Sequence, residues 1–138
     1  MFLGTNFNKT QDLLLRAMNA ESLRWSVINN NIANADTPNF KRSDVVFESE
    51  LQRALKSESP YPIKAKMTHE KHISFYQPKK YQAVTPKIRL EYDSTYRNDK
   101  NNVDVDKEMV DAAKTTLRYN AFASIVGRNY RKINMLLK

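Results

Sequence analysis

The chain has 138 residues, 41% of them hydrophobic, with two glycines, no cysteine and a formal net charge of +8 at pH 7. That is one domain's length with a modest core. It excludes disulfides, cysteine-ligated zinc and a thiol nucleophile, and Gly4 and Gly127 alone cannot build a glycine-rich phosphate cradle. No run approaches the roughly 18 apolar residues that a membrane span needs, and Met1-Phe2-Leu3-Gly4 lacks the basic and apolar regions of a cleavable signal peptide.

The first predicted element is a long helix. Asn8 with Gln11 three residues on is a candidate capping box. Leu14, Met18, Glu21, Trp25, Ile28, Ile32 and Ala35 then recur at alternating steps of four and three, a heptad seam with Glu21 as its one polar member. Asp36-Thr37-Pro38 stops it, because the residue before proline is pushed out of the α region. A helix from Asn8 to Asn34 is roughly 40 Å long.

The middle changes character. Ser43 or Asp44 is expected to cap a short helix with Phe47, Leu51, Ala54 and Leu55 on one face. The period then drops to two. Ile63, Ala65 and Met67 alternate with Lys64, Lys66 and Thr68, and Ile88, Leu90 and Tyr92 alternate with Lys87, Arg89 and Glu91. Both stretches are expected to be half-buried strands. Pro60, Pro62, Pro78 and Pro86 punctuate the segment, and Asn98-Asp99-Lys100-Asn101-Asn102 is a polar turn.

The last element is a second long helix, from Val105 to Leu137, on the order of 50 Å. Met109, Ala112, Thr116, Tyr119, Ala123, Val126, Tyr130, Ile133 and Leu137 step three and four throughout. Asp104, Asp106, Glu108 and Asp111 crowd its start and Arg128, Arg131, Lys132 and Lys138 its end, which complements the helix dipole. A further row, Ala113, Leu117, Ala121 and Ile125, widens the apolar face beyond what one partner helix covers. The expected fold is mainly α: two long terminal helices packing as an α-helical coiled coil, with a small central segment of short helix and β-strands. The divisions are 1–42, 43–103 and 104–138. Such a hairpin is marginal alone and is expected to self-associate or pack against partner helices.

Candidate chemistry is sparse. His69-Glu70-Lys71-His72 spaces its histidines three apart, whereas a zincin needs them four apart on a helix, so an exposed or locally bonded pair is expected. Asp104-Val105-Asp106-Lys107-Glu108 alternates acids but lacks the glycine turn of a calcium loop, and reads as a helix start. No enzyme signature, cofactor site or metal site emerges. The positive balance keeps a nucleic-acid-binding protein as the alternative reading, although bases and acids are interspersed with no continuous basic block.

One stretch is distinctive. Asn30-Asn31-Ile32-Ala33-Asn34-Ala35-Asp36-Thr37-Pro38-Asn39-Phe40-Lys41 resembles the signature with which the first helix ends in flagellar rod, hook and hook-associated proteins. Ser43-Asp44-Val45-Val46-Phe47, the pair His72-Ile73, and Asn102-Val103-Asp104-Val105-Asp106-Lys107-Glu108-Met109 are similar to the short members that form the proximal rod. The resemblance implies a structural subunit of the bacterial flagellar basal body, in a helical shaft that transmits motor torque across the periplasm. It implies export through the flagellar type III apparatus. It also implies as partners other rod subunits, copies of itself, the rod-base adaptor FliE, the MS-ring and the flagellar export gate, with no nucleic acid and no direct membrane insertion.

The family commonly has glycine where this chain has Asn39. Asparagine is the other residue that best tolerates φ > 0, so Asn39 is expected near the left-handed region, turning the chain out of the first helix. The amides of Asn30, Asn31 and Asn34 can satisfy the last helical carbonyls or bridge to neighbouring subunits. The expected assembly residues are Asn30, Asn31, Ile32, Asn34, Asp36, Thr37, Pro38, Asn39 and Phe40 around the elbow, and Met109, Tyr119, Val126, Tyr130, Ile133 and Leu137 on the last helix.

Overall fold

The computed structural model describes residues 6–58, 68, 69, 71, 79–92 and 97–137. In chain order it contains α1 (Asn6–Ala33), β1 (Ser43–Val46), α2 (Glu48–Ser57), a 3-10 turn (Tyr81–Ala83), β2 (Lys87–Leu90) and α3 (Val105–Leu136). The protein is mainly helical, and both long helices fall where the heptad spacing and the Asp36-Thr37-Pro38 stop put them. Asp104 caps α3 by accepting from the N–H groups of Asp106 and Lys107, with Asp106 and Glu108 in the first turn.

The chain divides into two compact units, 1–45 with 88–138, and 46–87. In the second, α2 packs against the 3-10 turn. Phe47, Ala54, Tyr81 and Val84 are its buried apolar residues among those described, and Leu51 and Leu55 are half-buried on the face expected of α2. Ser43 and Asp44 do not cap that helix. They lie in β1, where the Asp44 carboxylate accepts from the Val45 N–H at 2.7 Å, and α2 begins after Phe47. The β-branched pair Val45-Val46 favours extended backbone and displaces the helix start by three or four residues.

β1 and β2 form a two-stranded sheet. β2 lies within the second expected strand, but all four of its residues are exposed, because a two-stranded ribbon leaves both faces open. The other expected strand, 63–68, falls almost wholly outside the described residues, as does His72. His69 is exposed, and its Nδ1 accepts from the Lys71 N–H at 3.2 Å.

In the first unit α1 packs against α3, with a seam that hydrophobic spacing only half locates. Glu21 and Ile28 on α1, and Ala35 just past its end, are buried. The alternating row is not: Trp25 is 44% exposed, and Met18 and Ile32 are half-buried. The opposite flank takes its place through Ala20, Val27 and Asn31, all buried. The same offset recurs on α3. Ala112, Val126 and Ile133 are half-buried, with Tyr119 at the rim, but Met109, Thr116, Tyr130 and Leu137 are exposed. Glu108 and Thr115 are buried instead, followed by half-buried Phe122 and Asn129. Three of those four are polar, so counting apolar residues selects the wrong flank. Two of them are paired across the seam: Glu108 with Asn31, and Asn129, which donates to the Gln11 carbonyl oxygen at 3.0 Å.

Candidate functional site

The elbow at the end of α1 is built from its own residues first. The Asn34 amide donates back to the Asn30 carbonyl at 2.8 Å, satisfying one of the orphan acceptors of the helix end. The Thr37 hydroxyl donates to the Asn34 side chain at 3.3 Å, and the Thr37 N–H to the Asn34 carbonyl at 3.1 Å. The Phe40 N–H then returns to the Thr37 carbonyl at 3.3 Å, so Pro38 and Asn39 occupy the two central positions of a turn. Asn39 has φ 63°. Proline first and a positive φ second is the residue preference of a type II turn, and the expected left-handed asparagine is present.

A second segment clamps this elbow. Asn101 is fully buried. Its amide nitrogen lies 2.9, 2.9 and 3.0 Å from the carbonyls of Asn34, Ala35 and Thr37, while its oxygen accepts from the Val103 N–H at 2.8 Å. One side chain thus gathers the carbonyls with which α1 ends. The Asn39 N–H donates to the Asp99 carbonyl at 2.8 Å, and the Lys41 ammonium to the Lys100 carbonyl at 2.7 Å. Lys100 itself has φ 61°, the other left-handed non-glycine residue among those described.

Beneath the elbow lies a buried polar knot. The Asn31 side chain pairs with the Ser43 backbone as a neighbouring strand would: it donates to the carbonyl at 2.8 Å and accepts from the N–H at 3.0 Å. Its nitrogen also donates to Glu108 Oε2 at 3.0 Å. Glu108 Oε1 accepts from Arg42 Nε, and Arg42 Nη1 donates to Glu91 Oε2 at 2.8 Å. Asn102 closes the ring by accepting from the Arg42 N–H at 2.7 Å and donating to the Glu91 carbonyl at 2.9 Å. Asn31 and Glu108 are fully buried, and the Arg42 side chain is 10% exposed. Burial works to lower the Arg42 pKa, but the hydrogen bonds to Glu108 and Glu91 outweigh it and hold the guanidinium above its ordinary value. The bond from Arg42 holds the Glu91 carboxyl below the usual glutamate range.

These groups are mutually paired, and none is poised as a nucleophile or base. Among the described residues no His, Asp or Glu cluster could hold a metal ion, and no helix is long and apolar enough to cross a membrane. What the arrangement does is mechanical: it fixes the start of α3 against the end of α1 across a long stretch of intervening chain.

Of the residues singled out in sequence, Asn31 enters the knot, while Asn30, Asp36, Thr37, Pro38 and Asn39 form the exposed rim of the elbow and Ile32, Asn34 and Phe40 are half-buried there. Met109, Tyr119, Tyr130 and Leu137 lie exposed along α3, and Val126 and Ile133 are turned partly inward. Sequence reasoning did not single out Arg42, Glu91, Asn101 and Asn102, and it read Glu108 as a helix-dipole acid. Their partners lie far away in the chain, so no local pattern marks them. The available signal was two asparagines and three acids packed into the eight residues 101–108, just before Met109.

The family described as "Flagella basal body rod protein" matches residues 13–41, which are most of α1 and the elbow through Lys41. Among individual relatives, the "Flagellar basal body rod protein FlgB" of Borrelia hermsii is 39% identical over 96% of this chain and 98% of its own length. The protein of the same name from Borreliella burgdorferi is 38% identical over 96% of this chain and 98% of its own length. That from Bacillus subtilis is 31% identical over 95% of each.

Proposed function

The chain belongs to the FlgB family of flagellar basal body rod proteins, and from that premise we propose how its parts serve the rod. It is a structural subunit of the bacterial flagellar basal body, not an enzyme, and it assembles with other rod components. Nothing found supports the nucleic-acid alternative. The observation that carries the reading is a near-full-length likeness that takes in both long helices and the elbow between them.

A drive shaft must pass torque without yielding inside its subunits. The paired knot of Asn31, Arg42, Glu91 and Glu108, with Asn101 on the elbow carbonyls, makes the junction of α1 and α3 a stiff joint. The exposed elbow residues Asn30, Asp36, Thr37, Pro38 and Asn39 with half-buried Phe40 beside them, and Met109, Tyr119 and Tyr130 on α3 with Leu137 just beyond it, are the surface offered to neighbouring subunits. Val126 and Ile133 support that surface from the seam. Contacts of this kind join unlike patches, so they propagate a helix instead of closing a ring. The division into 1–42, 43–103 and 104–138 then separates elbow, central segment and tube-lining helix. The neighbours are copies of this chain and other rod subunits, with FliE, the MS-ring and the export gate at the base, and the chain reaches them through the flagellar type III apparatus.

A photo-crosslinking amino acid at Asn30 or Phe40, in cells that swim, tests these partners. Adducts with rod subunits, FliE or ring components in isolated basal bodies are expected. Adducts confined to cytoplasmic proteins, in cells with complete basal bodies, would contradict the reading. Accumulation of the chain inside cells that lack the export gate tests the route.

A further inference from the structure

The turn at 34–40 makes no hydrogen bond within itself shorter than 3.1 Å. That one joins the Thr37 N–H to the Asn34 carbonyl; the Thr37 hydroxyl reaches the Asn34 side chain, and the Phe40 N–H the Thr37 carbonyl, only at 3.3 Å. Both 3.3 Å bonds are longer than is usual for their donors. The bonds that arrive from residues 99–101 are shorter. The Asn39 N–H meets the Asp99 carbonyl at 2.8 Å, and Lys41 Nζ meets the Lys100 carbonyl at 2.7 Å. The Asn101 amide meets the carbonyls of Asn34, Ala35 and Thr37 at 2.9, 2.9 and 3.0 Å. Ala35 is buried, and among the described residues its carbonyl accepts from Asn101 alone.

The segment that reaches in is braced without the elbow. Arg97 Nε and Nη2 donate to the two carboxylate oxygens of Asp99 at 3.1 and 2.7 Å. Asp99 Oδ1 accepts from the Asn101 N–H at 3.1 Å, and the Asn101 side-chain oxygen accepts from the Val103 N–H at 2.8 Å. These are two successive turns of the kind in which an Asp or Asn side chain bonds the backbone two residues on. Lys100 stands at φ 61°, with its N–H donating to the Arg97 carbonyl at 3.1 Å. A lysine persists in the left-handed region only where surrounding contacts over-determine it. All these braces lie within 97–103, immediately ahead of the α3 cap at Asp104.

We propose that residues 97–103 are a template and the elbow its follower, with Asn101 as the positioning residue. The rim from Asp36 to Asn39 takes its shape only once the segment ahead of α3 is seated on the end of α1. The family match over 13–41 covers the elbow but not the segment that shapes it. The inference rests on the rod-subunit reading for its use: a chain whose α3 is not yet paired with α1 presents no formed elbow to a growing rod.

Amide hydrogen exchange on the full chain tests this by separating the two ends of the Asn101 side chain. Asn101→Asp keeps an oxygen for the Val103 N–H and sets another oxygen against the three carbonyls. The Asn39 and Phe40 amides should then exchange at least about tenfold faster, while Val103, and Val27 and Phe122 in the helices, keep their protection. Asp99→Ala spares the buried amide and the Asp99 carbonyl and removes only the brace, and should speed Asn39 exchange by at least about threefold. Unchanged exchange at Asn39 and Phe40 in either variant overturns the proposal. So does a loss of protection at Val27 and Phe122 equal to that at Asn39 in both variants, which would make these residues matters of general stability. Normal swimming by an Asn101→Asp strain whose elbow is loosened would overturn the use in assembly and leave the rod-subunit reading standing.

Discussion

Asn31 and Glu108 meet at 3.0 Å where neither side chain reaches water. This bond ties the last turns of α1 to the first turn of α3, and its value comes from what surrounds it. Glu108 is also the acceptor of Arg42, and Asn31 also holds both backbone groups of Ser43. Removing one member strands the others in a dry site.

Glu108→Ala leaves the Arg42 guanidinium buried with one of its two close carboxylates gone. The expected loss of stability is about 3–5 kcal/mol, the usual cost of breaking a buried pair from one side. Asn31→Ala removes neutral partners and should cost less, about 1–3 kcal/mol. Urea unfolding followed by circular dichroism measures both. A Glu108→Ala variant within about 0.5 kcal/mol of the parent would mean that the knot is not a structural tie.

The elbow makes a separate prediction. With φ 63° at Asn39, Asn39→Gly should be tolerated, since glycine reaches that region without steric cost. Asn39→Val should cost roughly 1–2 kcal/mol per subunit and depress swimming, because a β-branched side chain is crowded there. Equal motility of the two variants would show that the turn can be made another way.

Much of this was legible in the sequence, and the rest failed for definite reasons. Helix extents followed from heptad spacing and from Pro38, and the left-handed Asn39 followed from its place after Thr37-Pro38. The seam was half legible: Ile28 and Val126 were on it, but Trp25, Met109 and Tyr130 were not. Hydrophobic period finds an apolar flank, and here part of the apolar flank faces outward while Glu108, Thr115 and Asn129 face in. The knot was not legible at all. Arg42 and Glu108 pair only because the elbow folds back, and a long-range pair leaves no trace in spacing.

The outward flank can be separated from the inward one by experiment. Val126→Asp and Ile133→Asp put a carboxylate into the α1–α3 seam and should lower the helicity and melting temperature of the free chain. Tyr130→Asp and Met109→Asp lie on exposed positions, so stability should stay within about 0.5 kcal/mol of the parent while assembly into rods falls. If all four variants destabilise the free chain alike, the offset seam is wrong.

Acid should loosen the joint in a defined direction. Arg42 holds the Glu91 carboxyl below its ordinary value of 4.5. The bridge therefore contributes fully above the unfolded-state pKa, and its contribution fades as pH falls from about 4.5 through the lower folded-state value. Below both, protonated Glu91 contributes nothing to the pair. Stability measured from pH 7 down to pH 3 should fall less steeply in Glu91→Gln than in the parent below about pH 4.5. Parallel curves would remove Glu91 from the account.

The claim that this chain is a rod subunit is tested most directly by a cryo-electron microscopy reconstruction of basal bodies isolated from the cells that make it. The account predicts density in the rod for α1, the Thr37-Pro38-Asn39 turn and α3, with Arg42 against Glu108 at their junction. A complete rod in which every subunit is accounted for by other chains would contradict it.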